Sequence, residues 1–196
     1  MTETITQHLP RWLQAEAARC GERFEDDAAR MAYVIALARR NVEEGTGGPF
    51  GAAVFDRESG ALVAVGTNLV VRSHCSHAHA EMIALALAEQ RLECFSLGEV
   101  AGRSFELFSS CEPCAMCFGA IPWSGVTRVV SAATDADARK IGFEEGPKLP
   151  DWAAALRERG IEVDQGVLRE AAVAVFDAYV ESGGIIYNGA PRFSAK

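Results

Sequence analysis

An α/β protein, with a mixed sheet of five strands layered between helices as an α/β/α sandwich, is what this sequence predicts. Three observations lead there. Helix-like and strand-like segments alternate along most of the chain. Two strand-like runs, Phe50 to Phe55 and Ala61 to Val65, flank the polar turn Asp56-Arg57-Glu58-Ser59-Gly60 and read as an antiparallel hairpin. The later strands are each followed by a helix, so the sheet is mixed rather than purely antiparallel.

The elements follow in order. Within residues 1–25, Trp12 and Leu13 with Ala15, Ala17 and Ala18 suit a short helix or an arm lying on a partner. From Asp27, the apolar residues Met31, Val34, Ile35, Leu37 and Ala38 recur at helical spacing, and Asp26 or Asp27 can cap the start. Gly45-Thr46-Gly47-Gly48-Pro49 ends that helix before the hairpin, and Gly66-Thr67-Asn68 leaves the hairpin as a loop. His79 opens a helix over Ala80 to Leu92, rich in Ala, Leu and Glu. Phe105 to Ser109 is a short strand, and Pro113 is placed at the first position of a helix running to about Trp123. A strand over Thr127 to Ala132, a helix over 151–158, a strand over Ile161 to Val163 and an amphipathic helix over Leu168 to Val180 complete the order. Ser182-Gly183-Gly184 stops the last helix before the apolar Ile185-Ile186-Tyr187. No repeat or linker interrupts residues 26–196, which are expected to form one domain behind the N-terminal segment 1–25.

Composition narrows the class. The chain has 196 residues, 49% hydrophobic and 23% charged, enough for a substantial core. No apolar run approaches the roughly 20 residues of a membrane span. Met1-Thr2-Glu3-Thr4 lacks the basic and apolar pattern of a secretory leader, so a cytoplasmic location is expected. A formal charge of −8 argues against a nucleic-acid partner, which needs a basic face, and Arg39-Arg40 and Arg157/Arg159 are isolated pairs. A small uncharged substrate suits this balance better.

The chemistry concentrates in His79-Ala80-Glu81 and Pro113-Cys114-Ala115-Met116-Cys117. One imidazole and two thiolates give zinc three protein ligands, and three leave a position open for water, where a structural site would use four. One zinc per chain is therefore expected, held by His79, Cys114 and Cys117. Both ligand-bearing helices are expected to start at one edge of the sheet, where their positive N-terminal ends stabilise thiolates. Glu81, two residues after the histidine, is placed to move protons. His74 and His77 lie nearby, but only His79 has a glutamate at +2, so they are read as loop residues. Cys111 reads as a buried thiol in the turn before the helix. A Cys-x-x-Cys that opens a helix after a strand also fits a thioredoxin-like redox site, although that reading leaves His79-Ala80-Glu81 unexplained.

His-x-Glu together with Pro-Cys-x-x-Cys is the general signature of zinc nucleobase deaminases. With Gly48-Pro49-Phe50-Gly51-Ala52, Gly66-Thr67-Asn68, Ser110 to Ala120, and Thr134-Asp135-Ala136-Asp137 leading into Ile141-Gly142-Phe143-Glu144-Glu145, the chain resembles the cytidine deaminase-like superfamily, and within it the bacterial guanine deaminases. The likeness covers about residues 30 to 150. It implies the cytidine deaminase-like fold and hydrolysis of guanine to xanthine and ammonia. It also implies Asn68 and Glu145 as groups that hold the purine, with Glu145 near the reacting amine. Phe50, Ala80 and Tyr187 are the further expected contacts of the base, and Phe118, Phe143 and Trp123 are alternatives to Phe50 as the aromatic one. An independent argument supports guanine: its N1–H and 2-amino donors match a carboxylate, which only accepts, whereas adenine presents an N1 acceptor. Some relatives carry aspartate where this chain has Glu145, and a longer arm leaves room for smaller rings with the same edge, such as ammeline. The resemblance further implies a homodimer, with a C-terminal segment that reaches the neighbouring subunit's site.

Rival readings are a tRNA adenosine deaminase, a cytosine or s-triazine deaminase, and a non-catalytic zinc or redox protein. The first needs a basic tail, and Glu162 to Glu181 carries more acids than bases.

Overall fold

A computed structural model describes residues 8–187. Helix α1 (Arg11–Ala17) precedes α2 (Asp27–Glu43), the hairpin strands β1 (Gly51–Asp56) and β2 (Leu62–Thr67), and a single turn, α3 (Val70–Ser73). Then come α4 (Ala80–Leu92), β3 (Phe105–Cys111), α5 (Ala115–Ser124), β4 (Arg128–Ala133) and α6 (Asp135–Lys140). Helix α7 (Trp152–Arg157), β5 (Glu162–Asp164) and α8 (Arg169–Glu181) close the order. The expected α/β/α sandwich is present: one five-stranded sheet, in the order β2-β1-β3-β4-β5. Strand β1 runs antiparallel to both β2 and β3, while β3, β4 and β5 are parallel.

Alternation along each strand feeds the two faces. Ala53, Phe55, Phe108 and Val130 pack with Leu13, Met31 and Phe176 beneath α1, α2 and α8. Ala52, Val54, Leu107 and Val129 pack with Ala84, Ile121 and Leu156 beneath α4, α5 and α7. Fully burying a side chain such as Phe55 or Phe108 stabilises the fold by about 1.5–3 kcal/mol. Helix α1 belongs to this core. Trp12 and Leu13 are buried within their own chain, so residues 8–25 are not an arm laid on a partner; residues 1–7 lie outside the described residues.

Several details differ from the sequence reading. Gly66 and Thr67 are not loop but the end of β2, paired with Ala52 and Gly51. Glycine is needed there because α4 crosses the strand at that point. A Cβ on Gly66 would collide with the Ala80 carbonyl oxygen and lie 2.6 Å from the Ala84 nitrogen. Gly66→Ala is therefore expected to cost about 1–3 kcal/mol through overpacking, read as a lower urea midpoint with an unchanged slope. An unchanged midpoint would mean that α4 is free to shift. Pro113 does not start α5; Cys114 is the N-cap and Ala115 the first helical residue. Two short helices, α3 and α6, were not anticipated, although Thr134 and Asp137 form a complete capping box for α6.

Of the two ligand-bearing helices, α4 follows and crosses the edge strand β2, but α5 does not start at that edge. Helix α5 follows β3, the central strand, and the register brings the C-terminal ends of β2 and β3 and the start of β1 to the same end. The candidate site forms at that end.

Candidate metal centre and active site

His79 is the N-cap of α4, in an extended conformation (φ −74°, ψ 158°), and Cys114 is the N-cap of α5 (φ −65°, ψ 173°). Cys117 lies three residues on, in the first turn of α5. Their donor atoms converge: His79 Nδ1 is 3.5 Å from Cys114 Sγ and 3.7 Å from Cys117 Sγ. All three donors lie within 4.8 Å of one another, and they form the metal-competent group among the described residues. Zinc–sulfur bonds of about 2.3 Å and zinc–nitrogen bonds of about 2.0–2.1 Å at a tetrahedral angle require N···S separations near 3.6 Å. The donors fit zinc by both chemistry and spacing.

The charges agree. Cys114 is held down at about 4, first by the hydrogen bond from the Cys117 thiol and, against burial, by the neighbouring His79. The same shared hydrogen bond, with burial, pushes Cys117 well above its ordinary value. One thiolate and one thiol thus share a proton at two helix N-termini, and a divalent ion would displace that proton. Burial pulls the His79 imidazole down, but the hydrogen bond and charge of Cys114, with Glu81 and Glu145, raise it overall. Cys111 is not a fourth ligand. It is buried, points its thiol at the Thr134 carbonyl oxygen at 3.6 Å, and is kept protonated chiefly by burial. His74 forms the left-handed C-cap of α3 and His77 lies beside Cys75, both outside the metal group, as the sequence reading placed them.

Beside the three donors is an enclosed cavity of about 20 Å³. Its wall includes His79, Cys114, Glu81, Asn68, Phe50, Glu145 and Tyr187, together with Cys111, Glu112, Phe143 and Glu144. Such a volume holds about one water.

Glu81, in the first turn of α4, is buried and accepts a hydrogen bond from Ser109 Oγ at 3.3 Å. Its carboxyl is raised first by burial and next by the Cys114 charge, with His79 acting against both. Glu145 is also buried, not part of a solvated acidic loop. Its backbone carbonyl accepts from Ala115 N at 2.8 Å, which docks its loop onto the first turn of α5. Burial, then the charges of Cys114 and Glu81, push its carboxyl up to about 8. Glu144 does face solvent, where it pairs with Arg139 at 3.0 Å.

Asn68 is buried, and its Oδ1 accepts from Val70 N at 3.2 Å. Only an oxygen can accept from that N–H, so the amide orientation is fixed and the Nδ2 donors remain for a ligand. Phe50 meets Phe143 edge-on at 5.0 Å, and Phe143 meets Tyr187 at 5.0 Å. Of the aromatic candidates, Phe143 is at the wall, whereas Trp123 is 83% exposed and Phe118 belongs to a surface groove. Tyr187 closes the cavity of its own chain, so near Gly48 that a Cβ there would lie 2.7 Å from its hydroxyl. The remainder of the tail, for which exchange with a neighbour was expected, lies outside the described residues.

Ala80 departs from expectation. Its side chain is buried between α4 and the sheet and does not line the cavity. Phe143, an alternative to Phe50 in the sequence reading, joins it at the wall, and Glu112 is a wall residue for which sequence reasoning assigned no role; its signal was adjacency to Pro113-Cys114.

Comparison with known proteins agrees with this geometry. Residues 24–133 match the family described as cytidine and deoxycytidylate deaminase zinc-binding region. The chain is 37% identical over 136 residues to a guanine deaminase of Bacillus subtilis (strain 168), covering 69% of this chain and 83% of that protein. It is 33% identical over 152 residues to a tRNA-specific adenosine deaminase of Haemophilus influenzae, covering 76% and 79% of the two chains. Among solved structures, the guanine deaminase from Nitrosomonas europaea superposes with a TM-score of 0.87 at 45% identity, over 91% of this chain and 97% of that one. A structure solved in complex with 2,6-diaminopurine also superposes with a TM-score of 0.87, at 46% identity over 92% and 95%.

Proposed function

The chain belongs to the cytidine and deoxycytidylate deaminase zinc-binding family, and from that premise we propose that it hydrolyses guanine to xanthine and ammonia. It is a hydrolase of the C–N bond in a cyclic amidine, with zinc as cofactor. One observation carries the choice of guanine: in a single cavity a buried carboxyl, Glu145, and the amide donors of Asn68 flank the three zinc donors.

His79, Cys114 and Cys117 would hold the zinc ion, which when bound would supply a water of lowered pKa as nucleophile at neutral pH. The remaining work falls to the protein's own groups. Glu81 accepts one proton from the attacking water and gives it to a ring nitrogen, then takes the remaining proton of the added hydroxyl and passes it to the amino group, so that the C–N bond breaks, ammonia leaves and the C2 carbonyl forms. Asn68 donates from Nδ2 to an acceptor on the ring. Glu145 accepts from N1–H and the 2-amino group. Its upward shift arises from burial and then from the Cys114 charge. A divalent ion offsets that charge, and donors on the guanine edge favour the ionised carboxylate. Phe50 and Phe143 supply apolar surface, and Tyr187 moves to admit the base, since the closed cavity has room for only about one water.

Ammonia release across guanine, adenine, cytosine, cytidine, ammeline and a tRNA anticodon stem tests this reading. Guanine is expected to lead. In Glu145→Gln, kcat/KM for guanine is expected to fall roughly 10- to 100-fold, the worth of hydrogen bonds to a charged group. Turnover of adenosine in tRNA, with salt-sensitive binding, in place of guanine would overturn it.

The rest of the proposal concerns context. Residues 26–196 are taken as the deaminase domain. No described helix is long and apolar enough to cross a membrane; we place the chain in a reducing cytoplasm, in a step of purine metabolism, where Cys20, Cys94, Cys111, Cys114 and Cys117 remain thiols. A homodimer accounts for the apolar surface of α5 and its surroundings, where Trp123 is 83% and Phe95 80% exposed, near Met116 and Leu149. Trp123→Glu is expected to yield monomers in sedimentation at concentrations where the parent sediments as a dimer. An unchanged sedimentation coefficient would remove this face from the interface.

A further inference from the structure

Asn41 is 0% exposed near the C-terminal end of α2 and does not line the cavity. All of its polar atoms are nevertheless committed to the backbone and side chains that frame the cavity. Its Nδ2 donates to the Gly48 carbonyl oxygen at 2.8 Å and to the Asn68 carbonyl oxygen at 2.9 Å. Its Oδ1 accepts from Thr46 Oγ1 at 2.7 Å, and Thr46 Oγ1 accepts in turn from Trp12 Nε1 at 3.1 Å. Asn68 N donates to the Phe50 carbonyl oxygen at 3.1 Å, which ties the same two loops together a second time. The loops are pressed so closely that a Cβ on Gly47 would collide with the Asn68 carbonyl oxygen.

We propose that Asn41 is a positioning residue for base binding: one buried amide, itself held by Thr46 and Trp12, fixes the two loops that present Asn68 and Phe50 to the ring. The inference rests on the reading of Asn68 as a base contact. Two carbonyl oxygens must be met by two donors on one short side chain, and the third bond must be accepted. Among side chains of this length only an asparagine amide does both. An aspartate of the same shape would turn an acceptor toward the two carbonyls. The chain of bonds also gives α1 a part in the site, since it ends on the Trp12 indole.

The test is a set of cycles with guanine as substrate. Thr46→Val keeps the volume and removes the hydroxyl, Trp12→Phe keeps the ring and removes the N–H, and Asn41→Asp inverts the donors. Thr46→Val is expected to raise KM roughly threefold to tenfold, the worth of about one hydrogen bond, with kcat and zinc content little changed. Trp12→Phe, one bond further from the base, is expected to raise KM by less. Combined with Asn68→Ala, most of the Thr46→Val increment should vanish, because the polar contact it acts through is gone and only Phe50 is left to position. Multiplication of the two effects, or a loss of kcat and zinc in place of the KM rise, would overturn the proposal. Thr46→Val decides the matter even where Asn41→Asp fails to fold. No KM change in Asn68→Ala alone would instead show that Asn68 does not hold the base, and the positioning role would fall with it.

Discussion

Glu81→Gln is expected to keep zinc at the level of the parent protein while kcat for guanine falls by roughly 10²- to 10⁴-fold, the range for loss of a general acid–base. Glutamine preserves the length of the side chain and an oxygen that can accept from Ser109 Oγ. Shape and metal ligation are therefore undisturbed, and only the ability to carry a proton is removed. The buried position matters to the size of the effect. Burial raises the Glu81 carboxyl above that of a solvated glutamate, so it holds a proton more tightly. Glutamine cannot substitute for it, since a side-chain amide neither takes up nor releases a proton near neutral pH. The measurement is steady-state ammonia release beside zinc content by emission spectroscopy. Activity within tenfold of the parent, at full zinc content, would remove Glu81 from the proton path.

The sequence made the metal site legible because its determinants are local. His79 and Glu81 are separated by one residue and Cys114 and Cys117 by two, and helix caps fix where such neighbours point. The hairpin and α4 were readable for the same reason, from turn residues and from composition. What escaped depends on contacts distant in sequence. Glu106, the second residue of β3, is 0% exposed and paired with Arg30 at 2.8 Å and Arg128 at 2.9 Å. Nothing near it in sequence marks it as a buried charge. Gly66 read as a loop glycine because the helix that needs its missing Cβ begins 14 residues later, at Ala80. Glu145 was placed at the site only through the family resemblance, because the contact that buries it is made to Ala115 N, 30 residues earlier in the chain. The α6 capping box is a different case: Thr134 and Asp137 have the right spacing to be read locally, and were seen only as part of a motif.

Removal of the metal is the second large effect. Dialysis against a chelator, or the substitution Cys117→Ser, is expected to abolish ammonia release, with zinc restoring it to the dialysed parent and not to the variant. Cys117 is fully buried, and its loss leaves two donors where the site needs three. Stability should respond more modestly. Zinc that binds only the folded chain stabilises it by about 4 kcal/mol at a thousandfold excess over its dissociation constant, so the melting temperature should fall on chelation and recover with zinc. The fold itself should persist, because the two apolar layers beneath α2 and α8 and beneath α4 and α7 are built from residues away from the metal. Circular dichroism of the zinc-free protein distinguishes the possibilities. Native helix content with no activity marks a catalytic centre set into a self-sufficient core, whereas unfolding on chelation would mark a structural one. Retention of ammonia release without zinc would remove the metal from the reaction, whereas neither zinc nor ammonia release in the parent would restore the redox reading of Cys114 and Cys117.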